Sequence, residues 1–335
     1  MRNRTLLLGT LALGVIAAVF VFTDKPAGDK TPLTETALVP AALLADLRTL
    51  EITTRGQNVK LERTDKGWVV PARFNLPVDT EQRLRPLLRS LRAAKTLGVL
   101  TADPRRMERL DLTHTLTLTG ADGKPWKMVV GKMTDDGLGT AVQLGGETQA
   151  LRSTFNGLLE ASPANWIDPV IASFAAEQVV NFEVTLPDGG RVQLTRSQAS
   201  EAFKGAEGPL LAACEELLFS LTTLRAVDAV ALNDAGALAA LAKPMVAKVT
   251  LQDGAVFTIK LGRGPSNDGE PPQGWMQATH TLATHPSNQK SALALFVCPP
   301  WLAEQIVNSV AELTKRGVPP AAPGLPTLEV DAVGR

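Results

Sequence analysis

A chain of 335 residues, 44% hydrophobic and 20% charged, is long enough for two domains and has the composition of a folded protein. Lys+Arg and Asp+Glu both number 34, so no bulk charge draws the chain to nucleic acid. The zero conceals an asymmetry: residues 37–169 carry 18 basic and 15 acidic side chains, whereas 170–317 carry 11 and 14. Such a difference is either scatter or a sign that the two halves attract each other or different partners.

The chain opens on "MRNR", with Arg2 and Arg4, followed by 18 uncharged residues over 5–22. That length predicts a short transmembrane helix. The positive-inside rule keeps the two arginines in the cytoplasm and sends the bulk of the chain outward. A cleaved signal peptide is the rival reading, but bulky residues in "AVFVFTDKP" stand where a small-x-small cleavage site belongs; a soluble protein with a buried N-terminal helix is the third reading. No Cys lies near, which excludes lipoprotein processing. The expectation is therefore a bacterial inner-membrane protein anchored through 5–22, with most of its chain in the periplasm. Residues 1–22 make the stub and anchor. Residues 23–36, "TDKPAGDKTPLTET", are polar with two prolines and read as a linker. Residues 318–335 are Pro-rich, lack periodicity and read as a disordered tail.

Between linker and tail the same features occur twice, about 130 residues apart. Leu50, Ile52, Val59 and Leu61 alternate with polar residues across "RGQN". Phe182, Val184, Val192 and Leu194 do so across "PDGG". Period-2 alternation across a Gly-containing turn predicts a β-hairpin with one buried face. An amphipathic helix follows each hairpin. Leu84, Leu87, Leu88 and Leu91 form one stripe, with the regular helix starting near Pro86. Leu210, Cys214, Leu217, Leu218 and Leu221 form the other, with Pro209 in the first turn. Second hairpins come next, around "ADG" and "QDG". Their return strands end on Gly131-Lys132 and Gly262-Arg263, and each half closes near Pro and Trp, at Trp166 and Trp301. Five features in one order predict an α+β fold of two tandem repeats, 37–169 and 170–317, each of antiparallel hairpins plus helices.

The anchor, "LRTLEITTRGQNVKLERTDKGWVV", "RLDLTHTLTLTGADGKPWKMVVGK" and the "NWID" close resemble the bacterial domain-of-unknown-function family 4340. The resemblance covers roughly 37–315 and lies in order and pattern more than in one short motif. Members are typically membrane-anchored and often encoded beside an ABC transporter of the gliding-motility auxiliary type. The resemblance therefore implies an accessory, extracytoplasmic role beside a permease and ATPase, with no catalytic residues. The second copy departs from the first in having Phe203 where the first has Trp68.

Motifs for chemistry are absent or weak. The sequence has no Gly-x-x-x-x-Gly-Lys-Ser/Thr loop, no His-Glu-x-x-His and no Gly-x-Ser-x-Gly. His280 and His285 lack a third ligand nearby, and on a strand their spacing puts them on opposite faces, so they read as surface histidines. Ser287 and Lys290 match Ser-x-x-Lys without its companion motifs. Asp135-Asp136 and Glu215-Glu216 are adjacent carboxylates that point apart. Cys214 and Cys298 read as buried thiols rather than a bridge.

The local excess of arginine at Arg83, Arg85, Arg89, Arg92, Arg105, Arg106 and Arg109 reads either as a solvated helix face or as a docking surface for an acidic partner or anionic lipid headgroups. Trp166 and Trp301 read as core caps of the repeats, with ligand or partner contact as the alternative. Trp68 and Trp126 read as core. The polar side of the opening hairpins carries Glu51 and Arg63, matched by Glu183 and Arg196.

The expected function is that of a non-catalytic binding protein: no catalytic residues, no cofactor, no metal and no nucleic acid. An envelope enzyme with its site between the repeats, or a structural spacer, are the alternatives. The oligomeric state is not readable from the sequence.

Overall fold

The computed structural model describes residues 35–135, 137–264 and 273–315. The anchor over 5–22, nearly all of the linker and the Pro-rich tail lie outside the described residues. No described helix is long and apolar enough to cross a membrane.

The chain is α+β and its sheets are antiparallel. In the first half, β1 (Thr36–Ala37) and α1 (Ala41–Ala45) lead into the hairpin β2 (Thr49–Thr54) and β3 (Gln57–Thr64). Then come β4 (Gly67–Val70), β5 (Leu76–Pro77), α2 (Arg85–Ala93), β6 (Lys95–Thr101) and α3 (Pro104–Met107). Strands β7 (His114–Thr119), β8 (Pro125–Met133), β9 (Thr140–Leu144) and β10 (Ala150–Ser153) complete a sheet of order β1-β6-β10-β9-β8-β7-β2-β3-β4-β5.

The second half contains β11 (Val170–Ser173), β12 (Val179–Thr185), β13 (Arg191–Thr195), α4 (Gly208–Leu221), β14 (Thr223–Arg225) and β15 (Asp228–Val230). After these come α5 (Ala235–Ala240), β16 (Met245–Leu251), β17 (Val256–Arg263), β18 (Gly274–His280), α6 (Pro286–Ser291), β19 (Leu295–Val297) and α7 (Pro300–Lys315). Its main sheet has the order β13-β12-β16-β17-β18-β19-β15.

Taken from the opposite edge, that is the first sheet's order β6-β10-β9-β8-β7-β2-β3 in corresponding elements. The strand after the helix is continuous in one half and broken in the other. Strand β6 pairs with both β1 and β10, whereas β14 pairs with β11 and β15 with β19. Beyond the hairpin, β4 extends the first sheet, while in the second half only Lys204 bridges back to Thr195.

The registers match the alternation. Leu50 faces Leu61 and Leu118, and Ile52 faces Val59 and Leu116. Phe182 faces Leu194 and Val249, and Val184 faces Val192 and Ala247. All of these side chains are buried. Removing a large apolar side chain from water contributes about 1.5–3 kcal/mol each, so a one-residue slip in either hairpin is strongly disfavoured.

Gly131 and Gly262 occupy corresponding places. A Cβ on Gly131 would lie 2.2 Å from the Leu110 carbonyl oxygen, and one on Gly262 would lie 2.3 Å from that of Ala240. In each half the turn or helix before the second hairpin presses its backbone onto the return strand, and only glycine leaves room.

Helix α2 enters through a wide turn. Residues Thr80–Leu84 are π-helical, the Asp79 carboxylate accepts from the Gln82 amide, and the Arg85 amide donates to the Thr80 carbonyl. Pro86 has no amide to donate, and it sits in the first turn of the α-helical part, where none is needed. Leu84, Leu87 and Leu91 are buried and Leu88 is partly so. On α4 the inner face is Cys214, Leu217, Leu218 and Leu221.

One continuous apolar core includes residues of both halves. Where the first half closes, the chain leading to the second is tied back to β5: Val78 bridges to Ile167, the Asp79 amide donates to the Trp166 carbonyl at 2.8 Å, and the Asp168 amide donates to that of Pro77 at 2.7 Å.

Candidate functional site

The arginine run does not form one surface. Arg85, Arg89 and Arg92 fall at i, i+4 and i+7 of α2 and line a groove of about 390 Å³ with Trp68, Thr80 and Leu88. Trp68 sits on β4, half-buried against the core, and forms an aromatic wall for the groove. Arg85 pairs with Glu81 one turn earlier, both largely exposed. Arg89 and Arg92 have no ion-pair partner among the described residues.

The other four arginines lie elsewhere, which corrects the reading of a single face. Arg83, two residues before Arg85, turns to the opposite flank of α2. There it borders a cleft of about 240 Å³ with Pro86, Ser90, Asn156 and Trp166. Arg105, Arg106 and Arg109 are exposed on α3 and the turn after it, at the far end of β6. A seven-residue strand separates them from α2, a span of about 20 Å. The carboxylate of Asp103 starts that turn by accepting from the Arg105 amide.

The same two flanks exist around α4, with the opposite charge. One side is a cleft of about 250 Å³ bordered by Glu177, Glu215, Arg196, Phe203 and Phe219. Its arginine is already committed: the Arg196 guanidinium donates to the carbonyls of Val179, Ala176 and Ala199 and lies 4.3 Å from the Phe203 ring centre. The other side is a cleft of about 270 Å³ between α4 and α7, bordered by Glu216, Trp301, Glu304 and Glu312. Gln305 ties the two helices together by donating to the Ser220 hydroxyl at 2.6 Å.

Trp301 corrects the expectation of a second core cap. Trp166 is 2% exposed and donates its indole N–H to the Glu160 carbonyl at 2.7 Å, whereas Trp301 is 58% exposed. Packing accounts for the difference. The turn that carries Trp166 sits among β3, the turn after β4 and β15 of the second half, whereas Trp301 starts the last described helix, on its outer side. Phe219, 75% exposed, was hidden from the sequence by its place among apolar neighbours on α4. Trp68 and Trp126 are half-buried flanks of the core rather than its interior.

The histidines are also not as the strand spacing implied. The chain turns after β18, so His285 caps α6 and its ring stacks on that of His280, with centres 4.1 Å apart. Both Nδ1 atoms accept backbone amides, from Leu282 and Ser287, and the Phe257 ring stands edge-on to both. Burial, then the neighbouring His280, lowers the His285 pKa below its ordinary value. No group of three or more metal-ligating side chains occurs among the described residues.

Ser287 and Lys290 are structural. The Ser287 hydroxyl donates to the Ile171 carbonyl at 2.7 Å. Lys290, 3% exposed, donates to the Asp168 carboxylate and the Val170 carbonyl, both at 2.5 Å. Desolvation lowers its pKa against the opposing pull of Asp168. Arg73 forms a two-pronged pair with Asp228, at 2.5 and 3.1 Å, across the seam between the halves. These titratable groups between the halves are thus committed to one another.

Cys214 and Cys298 are buried free thiols, pushed by desolvation up to about 11 and about 12. They stay protonated and are poor nucleophiles. Of the four polar hairpin positions, Glu183 is 8% exposed and paired with Arg191, and Glu51 accepts from the Asn58 amide. Arg63 and Arg196 correct the reading of a polar side, because each stands two residues after a buried Leu and so in step with the apolar row; Arg63, opposite Trp68, is exposed, in contrast to Arg196.

The groove at α2 therefore joins unpaired positive charge to an aromatic wall. What it can do is bind an anionic or acidic group; it holds no nucleophile and base within reach of each other.

Comparison with known proteins adds one finding. No curated protein and no solved structure matches the chain. A family profile described as a domain of unknown function (DUF4340) matches residues 68–244, over half of the chain, beginning at Trp68 and crossing the seam. The chain belongs to the DUF4340 family of domains of unknown function.

Proposed function

We propose that this chain is a membrane-anchored, extracytoplasmic accessory protein that acts by binding, beside the permease or ATPase of an ABC transporter. In this reading residues 5–22 are the anchor, the periplasm holds the bulk of the chain, and the two halves are tandem copies of one unit. The observation that carries the binding role is the α2 groove: Arg89 and Arg92, without an ion-pair partner among the described residues, stand beside Trp68 on the half nearest the anchor. Guanidinium groups are more weakly hydrated than ammonium groups and grip carboxylates with two parallel bonds, so a face of arginines suits an acidic partner. The commitment of Lys290 to Asp168 and of Arg73 to Asp228 favours binding over a catalytic cleft at the seam.

Affinity capture of the full-length protein from native membranes tests the reading. Permease or ATPase subunits should be enriched over membranes that lack the protein. A wild-type capture that contains neither subunit counts against it.

A further inference from the structure

The two helices that occupy corresponding places carry opposite charge without exception. Every charged side chain of α2 is an arginine: Arg85, Arg89 and Arg92. Every charged side chain of α4 is a glutamate: Glu215 and Glu216. All five are exposed. Arg89, Arg92, Glu215 and Glu216 have no ion-pair partner among the described residues, so the chain does not satisfy one face with the other. The acidic face has a second property. Phe219 and Trp301, 75% and 58% exposed, flank α4 in clefts whose other borders include Glu177, Glu215, Glu216 and Glu304.

An exposed aromatic ring among carboxylates is a receptor for guanidinium: the ring face and the acid oxygens both attract it, and the ring supplies apolar area. The chain already sets a guanidinium against a ring within itself, where Arg196 lies 4.3 Å over the buried Phe203 in the same cleft as Phe219, its N–H groups held by backbone carbonyls. The basic face in turn presents Trp68 and Leu88 between its arginines.

We propose that the occupant of the α2 face is a second copy of this chain, docked through its α4–α7 face. Arg85, Arg89 and Arg92 of one copy meet Glu215, Glu216, Phe219 and Trp301 of the next. This rests on the reading of α2 as a docking face and names its partner. The contact joins two different surfaces, so a two-fold pair makes it twice and a pair without that symmetry leaves one face of each kind open. Charge sets register and encounter rate, and the aromatic side chains supply the buried area.

Full-length protein in neutral detergent, followed by sedimentation velocity, tests the proposal. Wild type should self-associate at low salt, and raising salt from about 0.05 M to about 0.5 M should weaken it on the order of tenfold. Arg85→Glu/Arg89→Glu/Arg92→Glu should be monomeric, and so should Glu215→Arg/Glu216→Arg, with near-ultraviolet circular dichroism unchanged in both. An equimolar mixture of the two variants should restore a one-to-one pair.

Self-association that persists in both reversed variants places the contact elsewhere, for example in the anchor, and overturns the proposal. So does a mixture that stays monomeric while both variants are folded. Wild type that remains monomeric but binds vesicles containing anionic lipid also overturns it, and makes α2 a lipid-facing surface. Capture of a permease is scored separately: its absence with intact self-association refutes the transporter reading alone.

Discussion

Helices α2 and α4 occupy the same place in their halves and are buried the same way, yet their outer faces share nothing. Each comes after the opening hairpin and lays a row of leucines on its own sheet: Leu84, Leu87 and Leu91 in one, Leu217, Leu218 and Leu221 in the other. The inner faces are constrained by close packing, where a missing methylene leaves a void. The outer faces meet water, where Arg and Glu cost the fold almost nothing to exchange. Stability therefore holds the positions equivalent, while the exposed residues are free to specialise for partners.

The buried leucines put that equivalence to its hardest test. Leu87→Ala and Leu217→Ala should each cost about 2–5 kcal/mol in urea unfolding, with similar values. A cost for one below half that of the other would show that the two helices are not held alike.

Next is the seam that joins the halves. Lys290→Ala removes the lysine donor from the Val170 carbonyl and from the Asp168 carboxylate, which keeps only the Val170 amide. It should cost about 2–4 kcal/mol, reduced from the fully buried case because Asp168 is about one-third exposed. Proteolysis should then cut first near 168–171; a cost below about 1 kcal/mol would sink the idea that this lysine pins the halves.

The paired glycines probe the correspondence at a second place. Gly131→Ala and Gly262→Ala should each cost about 1–3 kcal/mol by forcing backbone apart. Thermal melts that are unchanged in either would show that the carbonyl contact there is not tight.

The histidine pair belongs to the second half alone and predicts a pH asymmetry. The folded pKa of His285 is lowered, so the unfolded chain binds its proton more readily. Stability from this residue is present above the ordinary histidine value of about 6.5 and is lost as pH falls through the folded value. Protonation also converts the Nδ1 acceptor that caps α6 into a donor facing the Ser287 amide. His285→Asn, which can still accept at the cap, should flatten the dependence of stability on pH between about 7 and about 5. An unaltered slope would remove His285 as its source.

The smallest effect on the fold should come from the most consequential face. Arg89→Ala/Arg92→Ala should change stability by less than about 0.5 kcal/mol by urea unfolding while abolishing self-association in sedimentation velocity. A large loss of stability would make these arginines structural.

Much of the fold was legible because local rules agreed with the tertiary answer. The alternation at Leu50, Ile52, Val59 and Leu61 set both pairing and register, and the i, i+3, i+7 stripe of α2 set its buried face. Gly131 and Gly262 stood out as repeated Gly-basic endings, but the reason for them, a carbonyl pressed against the strand, lies about 20 residues away in each case. The candidate site was legible in part. Spacing alone puts Arg85, Arg89 and Arg92 on one face and Arg83 off it. Nothing local announces that Trp68 stands beside them, or that β6 carries Arg105, Arg106 and Arg109 away.

Which residues alternate, which form helical stripes, and that one order of features occurs twice could all be read from the chain alone. These depend on periods of 2 and 3.6 residues along it. Three-dimensional packing was needed to bury Trp166 and expose Trp301, to stack His280 on His285, and to bring Lys290 to the Asp168–Val170 junction over a separation of 120 residues. Burial and pairing depend on what the rest of the chain brings near. Similar local patterns therefore acquire opposite surroundings according to which elements pack over them.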